Sequence, residues 1–215
     1  MKKETKKDFD LAISLLAAFL FWTAAVQCVD VQAIGPKGST VGFAALNRFV
    51  HSLTGVHFSL YTLTDWLGLV PLGVAFGFAL LGLGQWMKRK QLSKVDYSIL
   101  VLGGFYAAVM AIYGLFEVLA VNYRPVLIDG VLEASYPSST TVLVMCVMPT
   151  AAMQLRDRIR QKVFRGFAVV ITAYTVFMVI GRLVSGVHWF SDIIGGALLS
   201  AGLVLLYRAV VRLPR

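Results

Sequence analysis

Residues 166–207 read GFAVVITAYTVFMVIGRLVSGVHWFSDIIGGALLSAGLVLLY. Two apolar runs, Gly166–Gly181 and Ile193–Tyr207, flank a short polar segment that carries Arg182, Ser185, His188, Ser191 and Asp192. A helix needs about 20 apolar residues to cross the hydrocarbon core of a bilayer. Each run approaches that length only by taking in Arg182, or His188 and Asp192. Charged groups at the end of a membrane helix are costly, so they are functional candidates from the outset. The stretch predicts two antiparallel membrane helices, 166–184 and 189–207, joined by a polar turn.

The rest of the chain repeats the pattern. Charge-free runs cover Leu11–Val29, Trp66–Met87 and Tyr97–Phe116, and a shorter one covers Thr140–Leu155. Of the 215 residues, 58% are hydrophobic and 14% charged, where soluble domains carry about 25% charged residues. The composition excludes a soluble globule and a disordered chain. The fold class is an all-α membrane protein. One domain over residues 1–215 holds six transmembrane helices in a single bundle, at about 11–29, 66–87, 97–116, 140–155, 166–184 and 189–207. The first run is long for the apolar core of a signal peptide and no small-residue cleavage site follows it, so it reads as a retained helix.

Sidedness follows from the cations. Sixteen of the 20 Lys and Arg residues fall at the N-terminus, in the second and fourth loops, or at the C-terminus. The other side holds Lys37, Arg48, Arg124 and Arg182. The positive-inside rule then places both termini in the cytoplasm and loops one, three and five outside. The formal charge of +9 is thereby read as topology control, and no nucleic-acid partner is expected. Cys28 and Cys146 lie in apolar runs and outline neither a disulfide nor a metal framework. No metal and no cofactor is expected. The chain lacks targeting tails, so the expected setting is a bacterial plasma (inner) membrane, crossed several times.

All three histidines, His51, His57 and His188, lie in the outward loops or at their edges. Three outward segments stand out: Asn122-Tyr123-Arg124-Pro125, Tyr136-Pro137-Ser138-Ser139-Thr140-Thr141, and Gly181 to Asp192. His188 and Asp192 are four apart, so a helical turn puts them on one face, where the carboxylate can orient the imidazole. Two arginines can clamp a phosphate through forked hydrogen bonds. A Ser/Thr-rich turn opening a helix offers hydroxyls and free N–H groups to an anion. Together these make a phosphoryl-transfer site with a His nucleophile. Taken singly, each has a plainer reading. His188 with Asp192 can simply end a helix at the interface, the arginines can reach toward lipid headgroups, and Ser138 to Thr141 can be an ordinary helix cap.

In order and spacing these residues resemble the type 2 phosphatidic acid phosphatase family of membrane lipid phosphatases. That family carries Lys, six residues, Arg-Pro; then Pro-Ser-Gly-His; then Ser-Arg, five residues, His, three residues, Asp. Here stand Arg124-Pro125, Pro137-Ser138, and Arg182, five residues, His188, three residues, Asp192. The resemblance implies a six-span lipid phosphatase in which His188 attacks phosphorus to give a phosphohistidine and Asp192 orients it. It implies that Arg124 and Arg182 hold phosphate oxygens, and that Ser138, Ser139 and Thr140 complete the phosphate cradle.

The departures from the family pattern shape the expected substrate. Glu117 stands where the first motif has Lys, Ser139 and Thr140 replace Gly-His, and Gly181 replaces Ser. The family's His at position 140 protonates the leaving oxygen, a task a Thr hydroxyl cannot perform near neutrality. A lipid or prenyl diphosphate, which leaves as a lipid monophosphate, needs that proton less and is the preferred substrate. His51, His57 and Glu117 are candidate auxiliary groups. Two alternatives stand beside hydrolysis: a catalytically degenerate member that binds lipid phosphates, and a small membrane transporter. The expected partners are the bilayer and a lipid phosphate or diphosphate.

Overall fold

The computed structural model describes residues 3–213, so Lys2 and Arg215 of the charge tally lie outside the described residues. The described chain is helical, with eight α-helices: α1 Lys3–Cys28, α2 Ala44–Thr54, α3 Phe58–Leu67, α4 Leu69–Arg89, α5 Tyr97–Leu119, α6 Ser139–Arg156, α7 Gln161–Val184 and α8 Phe190–Val211. Five helical segments are long and apolar enough to cross a membrane: Lys3–Cys28, Phe58–Arg89, Tyr97–Leu119, Gln161–Val184 and Phe190–Val211. The protein is therefore a multi-pass membrane protein.

The fourth expected span, α6, falls short of the hydropathy the others reach, for a visible reason. It is the inner helix, packed on α4, α5, α7 and α8. Its buried residues include Thr141, Thr150 and Gln154, polar side chains that neighbouring groups satisfy. Thr150 Oγ1 donates to the Cys146 carbonyl at 2.7 Å, and Gln154 bonds the Tyr207 hydroxyl and the Ser98 carbonyl. At 18 residues it is about 27 Å long, the thickness of a hydrocarbon core.

The segment just before the expected span 66–87 is helix α3, and it runs on into α4, so the apolar helical segment covers Phe58–Arg89. Pro71 explains the joint. Lacking an N–H, it leaves the Leu67 carbonyl without its helical donor, and the Tyr174 hydroxyl of α7 donates to that oxygen at 2.7 Å. Gly68 keeps right-handed helical angles between the two pieces, so the chain continues rather than turning back. The amphipathic helix α2 packs on α8.

Helix α1 packs chiefly against α8. At one end of this pair the buried Asp8 carboxylate bonds Arg208 and receives Arg212 Nη1 at 2.9 Å. Arg89 and Arg158 pair with Asp96 at the α4–α5 turn. The opposite end of the bundle carries the loops that contain Arg124 and His188.

Candidate active site

The loop after α5 folds back on itself. Asp129 and Gly130 both have positive φ, 49° and 77°, and sit between Ile128 and Val131, which exchange backbone hydrogen bonds. This is the tight two-residue turn that Asp-Gly favours. The returning strand aligns Arg124 N with the Glu133 carbonyl at 3.0 Å and Ser135 N with the Asn122 carbonyl at 2.9 Å. Arg124 is thereby aimed toward α8, with its Nε 2.9 Å from the Glu133 carboxylate.

The turn between α7 and α8 is fixed from the other side. Gly186 has φ +69°, and a Cβ there would lie 1.9 Å from the Gly55 carbonyl oxygen, so only glycine fits both the angle and the approach. His51 Nε2 contacts the Gly186 carbonyl at 3.1 Å, and His57 N donates to the Ser185 carbonyl at 3.0 Å. Trp189 Nε1 donates to the Tyr123 carbonyl at 2.8 Å. Loops one, three and five thus converge on the residues just before α8.

At the centre, His188 is 2% exposed. Its Nε2 lies 3.3 Å from Arg124 Nη1 and 3.1 Å from Arg182 Nη2. Two guanidinium donors facing one ring nitrogen require that nitrogen to be the acceptor, so Nε2 carries the lone pair. Its Nδ1 faces Asp192 Oδ2 at 3.8 Å. Burial, then the Arg124 and Arg182 charges, hold the His188 imidazole well below the usual histidine range. That direction agrees with an Nε2 that accepts from both arginines.

Asp192, at the first turn of α8, is fully buried. Its Oδ2 accepts the Trp189 N–H at 2.9 Å and its Oδ1 accepts Asn122 Nδ2 at 3.1 Å. Arg182 is 1% exposed, yet its Nε and Nη1 have no hydrogen-bond acceptor among the described residues. Asp65 Oδ1 stands 3.7 Å from Nη1, and the Tyr61 ring lies under the guanidinium at 5.0 Å. Buried donors with spare capacity suit an anion.

An open polar cleft of about 660 Å³ is lined by both arginines with Asp65, Glu117, Glu133, Ser139 and Thr140. It shares Asp65, Tyr113, Ser139 and Thr140 with an apolar groove of about 290 Å³ between α4, α5 and α6, walled by Leu69, Leu72, Val109, Met110 and Leu143. A narrow recess holding His188 shares Tyr113, Glu117 and Ser139 with the cleft. The arrangement sets the polar, arginine-lined cleft at His188 beside an apolar groove between helices.

A sequence model of the PAP2 superfamily matches residues 109–214. That span contains Arg124, Arg182, His188 and Asp192 in the geometry just described. Residues 109–214 belong to the PAP2 superfamily. The fold is similar to that of the crystal structure of a transmembrane PAP2-type phosphatidylglycerolphosphate phosphatase from Bacillus subtilis. The TM-score is 0.61 at 19% identity, over 93% of this chain and 94% of that one. No curated protein matches the chain in sequence.

In this PAP2 protein the structure gathers His188, Asp192, Arg124 and Arg182 at one point, with Ser139, Thr140 and Glu117 on the cleft wall. Ser138 lies behind that wall: it is fully buried, its hydroxyl accepts Thr141 Oγ1 at 3.0 Å, and its N–H donates to the Asp192 carbonyl at 3.1 Å. It ties α6 to α8. His57 is exposed and bonds the Thr54 carbonyl at 2.8 Å; neither it nor His51 lines the cleft. Three partners of the site escaped the sequence reading. Asp65 and Glu133 are counter-ions of the clamp arginines. Asn47, fully buried in α2, accepts the Ser191 N–H at 3.0 Å and donates to the Ser191 hydroxyl at 2.9 Å. Polar residues in outward loops carry no periodic signal, and only the fold shows what they face.

Proposed function

We propose that this protein is an integral membrane lipid phosphatase with six spans. Both termini lie in the cytoplasm, and it acts on the outer leaflet of a bacterial plasma membrane. Its substrate is a lipid phosphate or, preferentially, a lipid or prenyl diphosphate. The observation that carries this reading is the position of His188 Nε2, 3.3 and 3.1 Å from the two arginines, beside a cleft that continues into an apolar groove. α6 is the sixth span, its modest hydropathy offset by burial within the bundle. The cation-rich loops at the far end favour the cytoplasm.

In the first step the Nε2 lone pair attacks phosphorus. An N–P bond forms and the P–O bond to the lipid breaks. Arg124 and Arg182 hold the equatorial oxygens as charge moves onto them. Asp192 stabilises the imidazole, which becomes cationic as it is phosphorylated. Water then attacks phosphorus, the N–P bond breaks and inorganic phosphate leaves. A diphosphate suits the site because the departing lipid phosphate needs little protonation, and Thr140 cannot supply a proton.

The test is phosphate release by purified protein in detergent from phosphatidic acid, phosphatidylglycerol phosphate and a polyprenyl diphosphate, with wild type and His188→Ala. Release that vanishes in the variant supports the reading. A folded wild-type protein that releases no phosphate from any of the three lipids overturns it.

A further inference from the structure

The two clamp arginines are balanced in different ways. Glu133 comes from the same hairpin as Arg124: its carbonyl accepts Arg124 N at 3.0 Å, and its carboxylate lies 2.9 Å from Arg124 Nε. Backbone and side chain hold this pair together. Arg182 is balanced from another helix, at a distance. Asp65 Oδ1 of α3 stands 3.7 Å from Arg182 Nη1, beyond hydrogen-bond reach. Arg182 Nη2 is engaged with His188 Nε2 at 3.1 Å, while Nε and Nη1 have no acceptor among the described residues. Asp65 thus offsets the charge of Arg182 without filling its donors.

The packing of α3 fixes this stand-off. Thr64 is fully buried, and its Cγ2 would lie 2.8 Å from a Cβ at position 181. Gly181, one of the departures from the family pattern, therefore lets α3 lie flush on α7 beside Arg182. Tyr61 and Asp65 are one helical turn apart and share a face of α3. The Tyr61 ring centre lies 5.0 Å from the Arg182 guanidinium carbon. A ring against the guanidinium face leaves open the edge, where the N–H donors are. Asp65 lines both the cleft and the apolar groove, and its side chain is 61% exposed. An anion that reaches Arg182 Nε and Nη1 comes to rest beside this carboxylate.

We propose that Asp65 is the release residue of this site: its carboxylate competes with phosphate for Arg182 and drives inorganic phosphate out after hydrolysis. This rests on the phosphatase reading above. Buried guanidinium donors with nothing to bond hold an anion tightly, and a product held that way blocks the next turnover. A fixed negative charge beside the donors weakens their hold on any phosphate, lipid-bound or free. The lipid offsets that loss by burying its tail in the groove. Inorganic phosphate has no tail and offsets nothing. The same charge therefore leaves the substrate bound and dislodges the product. No covalent bond changes in this step.

The experiment measures binding of inorganic phosphate in detergent, near neutral pH, by isothermal titration calorimetry. Wild type is compared with Asp65→Asn and Asp65→Ser, which remove the charge, and with Asp65→Glu, which keeps it. A fourth protein combines Asp65→Asn with Arg182→Gln. Thermal unfolding in the same detergent confirms that each is folded. A unit charge at about 4 Å in high dielectric is worth about fivefold in a binding constant. Both neutral variants should therefore bind phosphate about fivefold more tightly than wild type, Asp65→Glu should bind no more tightly, and Arg182→Gln should remove the gain. A merely structural role for Asp65 predicts weaker binding instead. Unchanged or weaker binding in either neutral variant overturns the assignment. So does a gain in Asp65→Glu, a gain that survives Arg182→Gln, or phosphate that binds none of the proteins. In each of these cases phosphate release from lipid that depends on His188 leaves the phosphatase reading standing. A folded wild type that releases no phosphate from any lipid overturns both.

Discussion

Asn47 should be a keystone of this site although it touches no substrate. Its carbonyl accepts the Ser191 N–H at 3.0 Å, and its amide donates to the Gly42 carbonyl at 2.7 Å and the Ser191 hydroxyl at 2.9 Å. Ser191 is the second residue of α8, so its N–H has no partner within the helix. Asn47→Ala therefore orphans one buried donor and one buried acceptor. Each costs about 1–3 kcal/mol, which gives about 4 kcal/mol together. For a chain of this size 1 kcal/mol is about 2–4 °C, so the unfolding midpoint should fall by about 8–16 °C. Thermal unfolding in one detergent, followed by tryptophan fluorescence, measures this. Asn47→Asp keeps the acceptor for Ser191 N–H and should lose about half as much. A fall below about 2 °C for Asn47→Ala, less than one orphaned group predicts, would refute the reasoning.

Two further outcomes follow from the geometry. His188 is held well below the usual histidine range by burial and then by Arg124 and Arg182, while an unfolded chain takes up that proton near pH 6.5. Stability from this residue is present above about pH 6.5 and is lost as pH falls below it, by up to about 1.4 kcal/mol per unit. Thermal midpoints measured against pH should show a drop in wild type that flattens in His188→Gln. At the α3–α4 joint, Tyr174→Phe should cost about 1 kcal/mol by freeing the Leu67 carbonyl. In a Pro71→Ala background, where a helical N–H is restored, the cost should shrink, as a double-mutant cycle of unfolding midpoints will show.

The membrane helices were legible because a span must be long and apolar, and α1, α4, α5, α7 and α8 declare themselves by that rule. α6 was harder, since a helix surrounded by protein can carry Thr141, Thr150 and Gln154 at little cost. Helix α2 and the start of α3 were missed because a search for runs of about 20 apolar residues passes over short segments: α2 has 11 residues and α3 has 10. At the candidate site, the spacing of Arg182, His188 and Asp192 was readable because all three sit within one short segment. Arg124 is 64 residues from His188, and only its place beside Pro125 marked it. Asn47, Asp65 and Glu133 were not readable, because their meaning comes from partners on other helices. Ser138 shows the converse: a residue in a suggestive motif whose side chain is spent on Thr141 of its own helix, while its backbone N–H joins α6 to α8.

The pairing of α1 with α8 also bears on how the protein is made. Asp8 waits for Arg208, a partner 200 residues later in the chain. At synthesis rates of about 5–20 residues per second, that is a delay of about 10–40 s. Through that time α1 stands in the membrane without the helix it packs on, its carboxylate unanswered. The helix that finally satisfies it is the one that begins just after His188 and carries Asp192. Closure of the bundle and arrival of His188 and Asp192 are one event, so a half-made chain has neither a finished scaffold nor a complete candidate site.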